Sequence, residues 1–166
     1  MIENPVVRSL MDTAPYSVGE DETLLMAWEV LERSGQRALP VVRTDGCCAG
    51  VLDRAELAVA CAGDVLSRRR VRDLVRSRRT ARIHPEESVS HAAAVMTEED
   101  TDALPVTDGH GQLVGLLTSR DYVAAAAGLH HRAAAAAAAV AERPARVTLP
   151  GLPPHPEVGE RGIVIP

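Results

Sequence analysis

Apolar residues in this chain switch between a helical and an extended period, and the switch happens twice. Leu24, Leu25, Trp28 and Leu31 recur at the spacing of an amphipathic helix with one buried face. Ala38-Leu39-Pro40-Val41-Val42 and Gly50-Val51-Leu52 follow as short apolar runs, separated by Thr44-Asp45-Gly46, which is hairpin-turn chemistry. The same order then returns. Val89, Ala92, Ala93 and Met96 have helical spacing, and Ala103-Leu104-Pro105-Val106-Thr107, Asp108-Gly109-His110-Gly111 and Gly115-Leu116-Leu117 repeat the strand, turn and strand. These runs superpose at an offset of 65 residues, while Val7-Arg8-Ser9-Leu10-Met11 matches Val71-Arg72-Asp73-Leu74-Val75 at an offset of 64. Several matches in one register establish an internal repeat.

Each repeat predicts a short helix (5–11 and 70–76), a short extended piece (16–18 and 81–83) and the amphipathic helix. Two strands follow (38–43 and 47–52; 102–107 and 112–117), then a closing helix that opens at Asp53 or Thr118. The expected fold class is α/β of the α+β kind, with the order helix–strand–helix–strand–strand–helix in each repeat. The expected divisions are repeat one at 1–62, a linker at 63–69, repeat two at 70–128, an Ala-rich helical extension at 129–143 and a Pro-rich tail at 144–166. The tail carries Pro144, Pro150, Pro153, Pro154 and Pro156 and has no apolar periodicity, so it reads as a linker.

Composition narrows the function. Hydrophobic residues make up 46 % and aromatics 2 %, so the chain has enough apolar surface for a core, built from aliphatic side chains. All 18 basic residues are Arg, and the net charge is −5, which gives no global attraction for nucleic acid. Arg68, Arg69, Arg70, Arg72, Arg76, Arg78, Arg79 and Arg82 form a basic stretch, but no aromatics interleave with it, and a solvated helix face ranks above a polyanion site. Cys47, Cys48 and Cys61 match neither a zinc spacing nor a disulfide framework and read as small apolar residues of a reducing cytoplasm. No signal peptide or membrane span is expected. Nor does a catalytic set emerge: His91, His110, His130, His131 and His155 form no metal motif, and no Gly-rich phosphate loop is present, so no enzyme activity is expected.

The repeated pattern of Leu-Pro-Val, a turn, then Gly, two apolar residues, Thr or Ser and a later Asp resembles the CBS (cystathionine-β-synthase-type) repeat. Residues 103–121, ALPVTDGHGQLVGLLTSRD, carry it along their whole length, and the first repeat carries it less fully. Two such repeats resemble a Bateman module of stand-alone bacterial type. That resemblance implies sheets packed with pseudo-twofold symmetry and pairing of modules into a homodimer.

The segment Gly115-Leu116-Leu117-Thr118-Ser119-Arg120-Asp121 runs from a strand end into a helix start. A helix start offers unpaired N–H groups that suit phosphate, and a carboxylate one turn inside can accept from both ribose hydroxyls. In family members that bind adenine nucleotides the residues matching Thr118 and Asp121 hold the ribose. The resemblance places the base against Thr80, Ile83, His84 and Pro85 and against Ala103, Leu104 and Pro105, with Ile83 and Pro105 covering its faces. Ser119, Arg120 and, from the first repeat, Arg54 complete the candidate set. Thr118 and Asp121 equally describe a helix capping box, and Asp53-Arg54-Ala55-Glu56 in repeat one would cap as well. Two readings therefore stand. One is a regulatory module sensing AMP, ADP, ATP or S-adenosylmethionine, whose output passes to a separate, unidentified protein partner. The other is a ligand-free dimeric scaffold. A nucleic-acid role for the Arg-rich stretch ranks last. Repeat one sets Asp53 and Glu56 together near where a phosphate would lie, so the expected stoichiometry is one nucleotide per chain, at repeat two.

Overall fold

A computed structural model describes residues 4–62 and 68–129. The Ala-rich extension beyond Leu129, the Pro-rich tail and most of the linker lie outside the described residues, as do the expectations made for them.

The first repeat opens with a 3-10 turn, Val7–Ser9, followed by β1 (Val18–Gly19), α1 (Leu24–Ser34), β2 (Ala38–Val42), β3 (Cys48–Asp53) and α2 (Arg54–Cys61). The second opens with α3 (Arg72–Val75), then α4 (Val89–Glu98), β4 (Ala103–Thr107), β5 (Leu113–Thr118) and α5 (Ser119–Ala126). Local chemistry sets these limits. The Thr23 hydroxyl accepts from the Met26 N–H to start α1, and Gly35, at φ 69°, ends it. Ser88 caps α4 through the His91 N–H in the same way.

β2 and β3 pair antiparallel, as do β4 and β5, each with an irregularity at the matching position, Val41/Val42 and Val106/Thr107. β1 joins the first sheet parallel to β2. Ile83 takes that place in the second sheet by a parallel bridge to Val106.

α1 buries Leu24, Ala27, Val30 and Leu31, whereas Leu25 is 43 % exposed. The expected apolar stripe is thus rotated toward Ala27, and Trp28 lies half-buried at its border. α4 buries Val89, Ala92 and Met96 of the expected face, while Ala93 lies half-buried at its border.

The cores do not follow the repeat boundaries. Val71 and Val75 belong to the first core, beside Leu24, Leu39 and Leu52. Val7 and Met11 belong to the second, beside Ile83, Leu104 and Leu117. Each repeat therefore lends its opening segment to the other. The N-terminal segment is held by Val7 N–H to the Glu87 carbonyl (2.8 Å), Arg8 N–H to the Pro85 carbonyl (3.0 Å) and Val89 N–H to the Pro5 carbonyl (2.8 Å). Between the sheets lies a small apolar contact of Ala38, Ala103 and Leu116 with Val51 against it. These are two pairs of equivalent positions, as a pseudo-twofold arrangement requires.

Candidate functional site

Antiparallel pairing puts Ala103 opposite Thr118, and Ser119 N–H donates to the Asp102 carbonyl at 2.9 Å. The Leu-Pro strand and the Thr118 segment are therefore neighbours, as the sequence predicts. At the start of α5, Asp121 Oδ2 accepts from the Thr118 N–H at 2.7 Å and from the Thr118 hydroxyl at 2.8 Å. Asp121 is only 8 % exposed and is the one charged residue among the described residues that is buried. A buried carboxylate needs such donors to offset its lost hydration.

The first repeat solves the same position differently. Asp53 Oδ1 accepts from the Glu56 N–H at 2.7 Å, and the Glu56 carboxylate reaches back to the Asp53 N–H, a reciprocal capping box. The other Glu56 oxygen pairs with the Arg78 guanidinium, which also donates to the Val51 carbonyl at 2.8 Å. The sequence does not mark Arg78 for this role, because a run of arginines does not show which one reaches across. Arg72 likewise pairs with Asp21, so part of the basic stretch is bound within the fold.

The remaining candidates separate. Ile83 is 2 % exposed in the second core, and its N–H and carbonyl are taken by the Pro105 carbonyl and the Thr107 N–H. Its side chain serves the second core, and its backbone serves the pairing with β4. Leu104 is fully buried, Pro105 is buried, and Ala103 lies at the inter-repeat contact. His84 Nδ1 accepts from the Glu86 N–H at 3.3 Å, and the Pro85 carbonyl receives Arg8, so these two shape the turn that holds the N-terminal segment. Thr80 lies against Gly50 of the first repeat, where the chain crosses between the cores. Arg54 stacks over Trp28, 5.4 Å from the ring centroid, and pairs with Glu32 on the outer face of repeat one. Arg120 is exposed. Ser119 lines a cleft between α4 and α5.

Burial pushes the Cys48 thiol above its ordinary value, which fits a small apolar role. No group of His, Cys, Asp and Glu suited to a metal occurs among the described residues, and no helix among them is long and apolar enough to cross a membrane.

A family model for the CBS domain matches residues 7–63 and again 71–128. The chain belongs to the CBS domain family. Among curated relatives, a homoserine O-acetyltransferase of Methanohalophilus mahii is 32 % identical over 124 residues, covering 74 % of this chain and 24 % of the relative. The chain spans about a quarter or less of the length of the first such relatives it matches. The CBS domain pair of protein MJ0100, in complex with 5-methylthioadenosine and S-adenosyl-L-methionine, has a TM-score of 0.67 at 22 % identity, over 75 % of this chain and 97 % of that one. CBSX2 in complex with AMP has a TM-score of 0.64 at 22 % identity, over 76 % and 98 %. These CBS structures share the tandem-repeat α+β fold.

Proposed function

We propose that this CBS pair is a regulatory module that binds an adenine nucleotide or adenosyl ligand at repeat two and passes the binding event to a separate protein partner. It acts by binding, not by catalysis. The observation that carries this reading is the buried Asp121 carboxylate, oriented by Thr118 at the start of α5. A carboxylate fixed at a strand-to-helix junction is an acceptor for a diol, and the helix start beside it favours phosphate. CBS pairs of the same fold hold AMP, or 5-methylthioadenosine and S-adenosyl-L-methionine, which supports this ligand class. Repeat one is unsuited, because Glu56 is longer than Asp121 and is occupied by Arg78. The module works as a homodimer, for which Met26, Val59 and Val123 supply exposed apolar positions on α1, α2 and α5.

Isothermal titration with AMP, ADP, ATP and S-adenosylmethionine tests the reading. One site per chain is expected. Asp121→Ala should abolish binding, and Glu56→Ala should leave it unchanged. Two sites, or full affinity in Asp121→Ala, would place the pocket elsewhere.

A second reading is favoured by the two bonds from Thr118 to Asp121, which are contacts expected of a helix capping box. If none of these ligands binds, the module is a ligand-free scaffold, and light scattering will show a dimer that nucleotide leaves unchanged.

A further inference from the structure

The second repeat has a cleft of about 410 Å³ between α4 and α5, lined by Ala93, Met96, Thr97, Asp100, Asp102 and Ser119, among others. The first repeat shows what the same place looks like when filled. At the offset of 65, Ala93 stands for Trp28, Ser119 for Arg54 and Thr97 for Glu32. In repeat one these three side chains form a closed set: the Arg54 guanidinium lies over the Trp28 ring and pairs with Glu32. Repeat two has smaller side chains at all three positions, leaving open the place that a ring and a planar cation fill in repeat one.

The charge at the rim is inverted as well. Arg37 of the first repeat becomes Asp102, and Gly35 becomes Asp100. Neither aspartate has an ion-pair partner within 4 Å among the described residues. Asp100 also keeps the left-handed backbone of its glycine counterpart, at φ 49°. Where repeat one carries its own guanidinium, repeat two offers two carboxylates, hydroxyls at Thr97 and Ser119, and an apolar floor at Ala93 and Met96.

We propose that the α4–α5 cleft of repeat two binds a small molecule bearing a planar cation of the guanidinium class. The carboxylates would receive the fork of N–H donors, and an alkyl stem would lie on Ala93 and Met96. Asp121 itself does not line this cleft, although Ser119 and Tyr122 on either side of it do, and the argument for a cation there uses no feature of the nucleotide reading.

Agmatine, a guanidinium on a four-carbon stem with no carboxylate, is the probe. Titration into the full chain, followed by NMR, should give saturable shifts at Ser119 and Ala93 with a Kd of roughly a millimolar, as suits a ligand of about nine non-hydrogen atoms. L-arginine should bind more weakly, because its carboxylate meets Asp100 and Asp102. The triple variant Ala93→Trp, Thr97→Glu, Ser119→Arg transplants the filling of repeat one and should lose the response while keeping its thermal midpoint. If that variant fails to fold, Asp100→Asn with Asp102→Asn should still weaken agmatine about tenfold or more. Agmatine and AMP are titrated separately into the parent chain, so a failure here and a failure of the nucleotide reading are told apart. No shifts up to about 10 mM, a Kd on the order of ten times the expected one, or unchanged affinity in the paired Asn variant would overturn the proposal. A triple variant that instead changes oligomeric state, with no agmatine response in the parent, would assign the cleft to a second copy of the chain and overturn it too.

Discussion

Cys47 and Gln112 occupy the same position of the two repeats, and they bridge to each other across the pseudo-twofold axis. Around them the two hairpin turns dock. Gln112 Nε2 donates to the Asp45 carbonyl at 2.8 Å, Cys48 N–H to the Gly111 carbonyl at 3.0 Å, and Leu113 N–H to the Gly46 carbonyl at 3.2 Å. The turn carbonyls thus find partners in the opposite repeat.

Gln112→Ala removes the one side-chain amide in that contact. The expected cost is about 1 kcal/mol, the net value of a single hydrogen bond, read as a lower denaturant midpoint with an unchanged slope. Cys47→Ala should cost less, since a thiol is a weak hydrogen-bonding group and its sulfur lies 3.6 Å from the His110 carbonyl and from Gln112 Nε2. Equal losses in the two variants would show that the docking is shared evenly.

The repeat order, the strands, the turns and both closing-helix starts were legible in the sequence, because period and turn chemistry are local. Asp53 and Thr118 are the N-caps, as the motif indicates. What was not legible depends on where a segment lands in space. A repeat boundary read from self-similarity cannot show that Val7 packs with Ile83 or that Val71 packs with Leu39. The candidate site fared likewise. Thr118 and Asp121 were legible as a pair, but Ile83 was not recognisable as core, since a buried strand residue and a base-stacking one have the same composition. Arg54 was drawn away by Trp28 and Glu32, an association invisible until α1 and α2 are packed.

Gly115 is required by close approach. A Cβ there would lie 2.8 Å from the Asp12 carbonyl oxygen and 2.7 Å from Met11 Sδ. The Met11 side chain can move, but the Asp12 backbone cannot without breaking its paired bonds with Leu116, at 2.9 and 3.0 Å. Gly115→Ala should therefore destabilise by about 2–3 kcal/mol, as overpacking against fixed backbone does. Gly109→Ala, where a Cβ meets nothing within 4 Å, is the control and should stay within about 0.5 kcal/mol. Thermal melts of the two variants side by side check this.

Tyr122 predicts an alkaline limit to stability. Its hydroxyl donates to the Val89 carbonyl at 2.7 Å. Desolvation first, and then the neighbouring Asp121 carboxylate, push the phenol above its ordinary value of 10.0. The folded state therefore holds this proton more tightly than the unfolded one. The resulting stability is complete below the unfolded value and is lost as pH rises from about 10 through the folded value. Tyr122→Phe should lower stability at neutral pH by about 1 kcal/mol and flatten the decline above about pH 10. The raised thiol of Cys48 adds a loss of the same sign, starting nearer its ordinary 9.0, so the difference between parent and variant is the quantity to follow. Parallel alkaline profiles would mean that folding leaves the proton affinity of Tyr122 unchanged.

The exchange of opening segments makes each half depend on the other. Val7 is fully buried in the second core, 76 residues before Ile83 in sequence, and Val71 is fully buried in the first. Truncating either removes two methyl groups from a packed site, so Val7→Ala and Val71→Ala should each cost about 2–3 kcal/mol. The location of the damage distinguishes this packing from one in which each repeat keeps its own segment. In Val7→Ala, amide exchange should quicken first in α4 and β4, not in β2 and β3; in Val71→Ala the order should reverse. The dependence extends to whole fragments. Residues 1–68 lack Val71 and Val75, and residues 69–129 lack Val7 and Met11, so each fragment exposes an incomplete core. Neither should unfold cooperatively alone, while an equimolar mixture should regain a single transition in circular dichroism. A cooperative melt of residues 69–129 by themselves would show that the second core closes without the N-terminal segment, and that the exchanged contacts are dispensable.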